Sequence, residues 1–121
     1  MSFMGNMIGN KALAAHGKSE YEKAMQLYDE AYEKGMDKPR LLRGYSILLI
    51  RTRHFDRALE VLKKLENLPG LTANEKVDLH VNYAIILWQK GHLDHAMEIL
   101  EDEFKHLKNG TMYSIIGYLK I

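Results

Sequence analysis

The 121-residue chain has no cysteine, which excludes a disulfide framework and any thiolate zinc site. It has almost no net charge either: 17 basic and 16 acidic residues leave +1. No global field therefore steers the molecule onto nucleic acid or an anionic membrane surface. Long apolar runs are missing as well. The longest, residues 47–50 and 84–88, fall far short of the ~18 residues needed to cross a bilayer. The stretch from Met1 to Met7 lacks the basic start and apolar core of a signal peptide. Together these absences make a cytoplasmic location the expectation, with no membrane or nucleic-acid partner. Catalytic signatures are lacking too: there is no Ser-His-acid spacing and no pair of carboxylates in a plausible cleft. Gly5-Asn6-Met7-Ile8-Gly9 is not followed by the Gly-Lys-Ser/Thr that a phosphate loop requires. The expectation is a chain that is not an enzyme and carries no cofactor.

What the sequence does have is periodicity. Glu20-Tyr21-Glu22-Lys23-Ala24, His54-Phe55-Asp56-Arg57-Ala58 and His92-Leu93-Asp94-His95-Ala96 share one pattern. Each is a polar residue, a large apolar one, an acid, a polar residue and alanine. Ala24 and Ala58 are 34 residues apart, and Ala58 and Ala96 are 38 apart. A period of 34 is the length of a helix-turn-helix unit whose apolar face is buried only when units stack.

The intervals between these marks read as helix. Leu42, Tyr45 and Leu49 share one helical face, and so do Val77, His80, Tyr83, Ala84 and Leu87. Thr72-Ala73-Asn74-Glu75 is a capping box, and Pro39 suits a first helical turn, where its missing N–H has no partner to lose. Gly91 and Gly110 suit left-handed helix ends, and Leu68-Pro69-Gly70-Leu71 is a loop that absorbs the longer second interval. The spacing predicts helices at about 6–16, 20–34, 39–52, 55–67, 73–90, 93–108 and 111–121. They group as three hairpins, at about 5–38, 39–71 and 72–108, plus a lone C-terminal helix, within a single domain spanning 1–121.

With these residues in phase, the chain resembles the tetratricopeptide repeat. In the third unit Tyr83-Ala84, Leu87, Gly91, Leu93, Ala96 and Leu100 follow the family spacing. The second has Leu42, Tyr45-Ser46, Leu49, Phe55, Ala58 and Leu62, with Leu65 where the family prefers alanine. The first has Ile8, Lys11-Ala12, Ala15, Tyr21, Ala24, Tyr28 and Ala31, but departs at Lys11 and at Gly17, which arrives early. The resemblance implies an all-α fold, a right-handed α-solenoid of antiparallel hairpins. Ala12, Ser46 and Ala84 would then face Ala24, Ala58 and Ala96, where backbones approach too closely for larger side chains.

It also implies a function: a protein-interaction scaffold that holds a peptide or helix of a partner in a concave groove. Carried over by position, the first unit supplies Asn6, Leu13 and His16 to that groove. The second supplies Arg40, Arg43, Ile47 and Arg51, and the third Asp78, Val81, Ile85 and Gln89. All five arginines lie between residues 40 and 57. Their planar forks bind carboxylates in a bidentate way, so the implied ligand is an acidic peptide or a C-terminal carboxylate. The alternative is a solvated face whose arginines pair with Asp37, Asp56 or Asp78. The carboxylate clamp of the chaperone-binding subclass does not fit, because its positions here hold Gly9, Leu13, Gly44, Asp78 and Asn82.

Three further features have structural readings. His92 and His95 stand one helical turn apart but have no firm third ligand, so no metal site is expected. His80 is expected buried or half-buried, and Trp88 is expected as packing on the inner side of the third hairpin. A rival function also follows. The segment 111–121 ends on apolar residues without a polar closing turn, and it could mediate homo-oligomeric self-assembly.

Overall fold

The computed structural model describes residues 2–91, 95 and 97–101, and among these there is helix and turn but no strand. The chain divides into two units, residues 1–69 and 70–121.

The first unit contains α1 (Ser2–Gly17), α2 (Tyr21–Glu33), α3 (Pro39–Arg51) and α4 (Phe55–Glu66). Helix α1 packs on α2 and α3 packs on α4, while α1 and α2 both also touch α3. The apolar spacing explains these pairings. Helix α4 buries Ala58, Val61, Leu62 and Leu65, at i, i+3, i+4 and i+7, a single stripe. Helix α2 buries Ala24, Tyr28 and Ala31 in the same manner. The deepest large side chains of the unit include Tyr28, Met36, Leu42, Tyr45 and Leu62.

Helix α1 begins four residues earlier than the predicted start at 6, and its buried face is made of Gly5, Gly9, Ala12 and Ala15. Glycine costs a helix roughly 1 kcal/mol relative to alanine, which hides this start in the sequence. Close approach explains why glycine is needed. A Cβ on Gly5 would collide with the backbone N of Met36 and come within 2.8 Å of the Ala31 and Lys34 carbonyl oxygens. One on Gly9 would lie 2.6 Å from Met36 Sδ and 2.9 Å from Leu41 Cδ1. The stretch from Gly5 to Gly9 is thus a helix face seated on the end of α2.

The ends of α1, α2 and α3 share one closure. Ser19 N–H donates to His16 O at 3.0 Å and Glu20 N–H to Ala15 O at 2.9 Å. Gly35 and Met36 repeat this onto Tyr32 and Ala31, and Arg53 and His54 onto Ile50 and Leu49. This is the Schellman pattern, with a left-handed residue just past the helix. That residue is glycine at Gly35 (φ 88°) but Ser19 (φ 62°) and Arg53 (φ 65°) at the other two. Gly17, which the sequence offers as an early turn glycine, is instead the last residue of α1, with open space around it.

The second unit opens with α5 (Ala73–Gln89). Its predicted capping box is formed: Glu75 N–H donates to Thr72 Oγ1 at 3.1 Å and Thr72 N–H to Glu75 Oε1 at 2.9 Å. Gly91 closes the helix with φ 88° and an N–H bond to Trp88 O at 3.0 Å. Residues 97–101 are helical again. Val77, Ala84 and Leu100 form the core of this unit, with Val81, Leu87, Trp88, Met97 and Ile99 packed against it.

Ala12, Ala24, Ser46, Ala58 and Ala84 are all fully buried, while Ala96 lies outside the described residues. So do Gly110 and the predicted helix 111–121, together with most of 93–108.

Candidate interaction face

Helix α3 turns nearly all of its apolar surface inward. Leu41, Leu42, Gly44, Tyr45, Ser46, Leu48 and Leu49 are buried, and Ser46 Oγ donates to Arg43 O at 2.7 Å. What remains outside is a single stripe: Arg40, Arg43, Ile47 and Arg51, at i, i+3, i+7 and i+11. At 1.5 Å per residue the stripe runs roughly 16 Å along the helix. The structure therefore brings these four predicted residues onto one exposed face. Ile47 is 36% exposed in the middle of it, an aliphatic side chain flanked by three cations.

Helix α1 borders this stripe. Arg40 Nη2 donates to Asn10 Oδ1 at 3.4 Å. A Cβ added at Gly44 would lie 3.0 Å from Leu13 Cδ1 and 2.6 Å from Tyr28 Oη, so the glycine lets α1 and α2 close on α3. At the other end the Arg51 guanidinium lies 4.8 Å from the centre of the Tyr21 ring. Among the described residues neither Arg40 nor Arg51 is held by an acid. Asp37, one of the acids that could have neutralised the stripe, is instead bound to Asn6.

His16 closes that end. Its Nδ1 lies 3.0 Å from Tyr28 Oη, and its ring stands edge-on to Tyr21 and Tyr28, 5.9 Å from each. Burial lowers the pKa of His16 below its ordinary value, and the Arg51 charge lowers it further. Burial raises the Tyr28 hydroxyl to about 12, so it stays a phenol that can donate to or accept from the imidazole. Tyr28 stacks on Tyr45 at 5.3 Å, and Tyr45 Oη donates to Asp29 Oδ1. Burial, and then the Asp29 bond, hold the Tyr45 pKa well above its usual value.

The remaining predicted residues occupy different places. Asn6 is a clasp: its Nδ2 donates to Asp37 Oδ1 at 2.9 Å, and its Oδ1 accepts from Asp37 N–H at 2.9 Å and Lys38 N–H at 3.3 Å. Leu13 is half-buried against α3. Asp78, Val81, Ile85 and Gln89 lie on one face of α5, in the second unit. Asp78, Val81 and Ile85 are half-buried, Gln89 is exposed, and Val81 belongs to the packing around Val77 and Ala84.

Arg53 and Arg57 stand away from the stripe. Arg53 lies over Phe55 at 5.3 Å, and Arg57 lies over Tyr32 at 5.2 Å with Nε 3.4 Å from Glu60 Oε2. His80 is half-buried, and His92 lies outside the described residues. No group of three or more His, Asp or Glu side chains suited to a metal occurs among the described residues. Nor is any helix among them long and apolar enough to cross a membrane.

Sequence reasoning missed Asn10 and Tyr21 as parts of this face. Tyr21 reads there only as the large apolar residue of the repeat pattern. Its place at the end of the stripe becomes visible once Arg51 and His16 are seen against its half-buried ring.

Compared with known proteins, the chain matches no family model and no curated sequence.

Proposed function

We propose that this protein is a non-catalytic binding module that holds an acidic, partly apolar segment of a partner protein on the α3 face. The observation that carries the reading is the stripe itself. Arg40, Arg43 and Arg51 flank an exposed Ile47, and the described partners of Arg40 and Arg51 are an amide and an aromatic ring. Guanidinium groups in this setting select carboxylates, and the aliphatic centre supplies burial.

In this reading the chain is a tetratricopeptide-type, right-handed solenoid of three hairpins with one further helix at 111–121. The helix closures support it. Ser19 and Arg53 take the same left-handed position 34 residues apart, and Gly91 takes it 38 residues later. The fully buried small residues, Ala12, Ala24, Ser46, Ala58 and Ala84, support it as well. Asp78, Val81, Ile85 and Gln89 share one face of α5 in the second unit, and the protein would work in the cytoplasm without a cofactor.

The test is fluorescence anisotropy with a labelled peptide that alternates glutamate and leucine. The wild type should bind it with an affinity that falls as salt rises. An R40E/R43E/R51E variant of equal helicity should not bind. Equal binding by both proteins would refute the reading.

One observation favours a second reading, self-assembly. Phe3, Met4 and Met7 are 75%, 51% and 46% exposed on α1, an apolar face of the kind that marks association. Together with the apolar segment 111–121 it would support homo-oligomers. Light scattering at two concentrations then reports a mass that rises with concentration, and a constant monomer mass contradicts this reading.

A further inference from the structure

The arginine stripe is not uniform along its length. Arg40 ends beside a neutral amide, whereas Arg51 ends over the Tyr21 ring of α2, a ring that His16 of α1 also meets edge-on. Arg51 and His16 share one neighbour, the Tyr21 ring. The Arg51 guanidinium lies 4.8 Å from the Tyr21 ring centre, and the His16 ring stands 5.9 Å from the same ring. The Arg51 charge also reaches His16 electrostatically.

We propose that His16 and Arg51 form a single carboxylate subsite at the Tyr21 end of the stripe, where the guanidinium and a protonated imidazole jointly hold an acidic side chain of the bound segment. This rests on the binding reading above and adds its regulation: binding takes up a proton.

The argument begins with the hydrogen bonds of His16. Nδ1 faces Tyr28 Oη at 3.0 Å, and that hydroxyl can either donate to a neutral ring or accept from a protonated one. Protonation therefore breaks no contact on this side. The groups facing His16 are Tyr21 and Tyr28 from α2 and Arg51 from α3, while Lys18 and Glu20 beside the end of α1 are exposed. Tyr28 remains neutral through this range, so Arg51 is the formal charge that opposes a proton on His16.

A carboxylate docked on Arg51 reverses that sign. It neutralises the guanidinium and places a negative charge beside the imidazole, which then favours the protonated ring. By linkage, a ligand that raises a proton affinity binds more tightly as the pH falls. Each unit by which the His16 midpoint rises corresponds to about a tenfold gain in affinity at the acid end of the range.

The test follows the His16 ring by NMR as pH is varied, with and without the glutamate–leucine peptide. The peptide carboxylates titrate near 4.3, so they remain ionised at about pH 5.5. The proposal expects the peptide to raise the His16 midpoint in the wild type but not in R51Q. It also expects affinity several-fold tighter at about pH 5.5 than at about pH 7.5, and a flat profile in H16Q. If the peptide binds while the His16 midpoint stays fixed or falls, the subsite is wrong and the binding reading stands. If the peptide does not bind at either pH, both are wrong.

Discussion

Asn6 and Asp37, thirty-one residues apart in sequence, are joined twice: the Asn6 amide donates to the Asp37 carboxylate, and its carbonyl accepts the Asp37 N–H, each at 2.9 Å. Lys38 N–H adds a longer bond to the same oxygen. This clasp fixes the start of α1 to the segment between α2 and α3, and thereby sets how α1 lies beside the arginine stripe. Replacing Asn6 by alanine should destabilise the protein by about 1–2 kcal/mol, because the Asp37 N–H loses its acceptor. Urea unfolding checks this, and an unchanged midpoint would show that the clasp contributes nothing.

The same substitution should have opposite signs at two glycines of α1. Gly5→Ala drives a methyl into the backbone at Met36 and should cost at least ~1–3 kcal/mol. Gly17→Ala meets open space inside a helix and should stabilise by about 0.5–1 kcal/mol. Thermal melts of the two variants decide the point.

The left-handed closures give a second pair. Ser19→Gly removes the strain of a positive φ on a side chain and should gain about 0.5–1 kcal/mol. Gly91→Ala imposes that strain where no neighbour interferes and should lose about 1 kcal/mol. Denaturant midpoints that move together in one direction would contradict the assignment.

Stability should depend on pH at both ends, and the His16–Tyr28 pair contributes to each. His16 has a lowered pKa when folded, so its contribution is complete above its unfolded value near 6.5. That contribution is lost as pH falls through the folded value. Tyr28 has a raised pKa, so its contribution is complete below about 10 and is lost as pH rises through about 12. H16Q should flatten the acid limb and Y28F the alkaline limb of a stability profile measured by urea unfolding.

How far the sequence carried these conclusions depends on the range of each interaction. Helices α2 to α5 were legible to within about a residue at either end, because their signals are local: Pro39 at a first turn, the Thr72–Glu75 box, and period-3.6 stripes such as Ala58 to Leu65. The start of α1 was not, because Gly5 and Gly9 look like breakers until the end of α2 is seen against them. The turn residues at Ser19 and Arg53 were hidden for the converse reason, since nothing in serine or arginine announces a positive φ. The exposed face of α3 was reached through the repeat resemblance, which carried Arg40, Arg43, Ile47 and Arg51 over by position. Its boundary could not be reached that way, because Asn6–Asp37 and His16–Tyr28 pair across 31 and 12 residues and leave no local pattern.

The central claim is that Arg40, Arg43 and Arg51 select a ligand by its negative charge, and a charge exchange tests it most directly. Wild type and R40E/R43E/R51E would each be titrated with two peptides identical except that every glutamate in one is lysine in the other. The account predicts that wild type binds only the acidic peptide and that the variant reverses the preference. If both proteins bind both peptides alike, the stripe is a solvated surface and the binding face lies elsewhere.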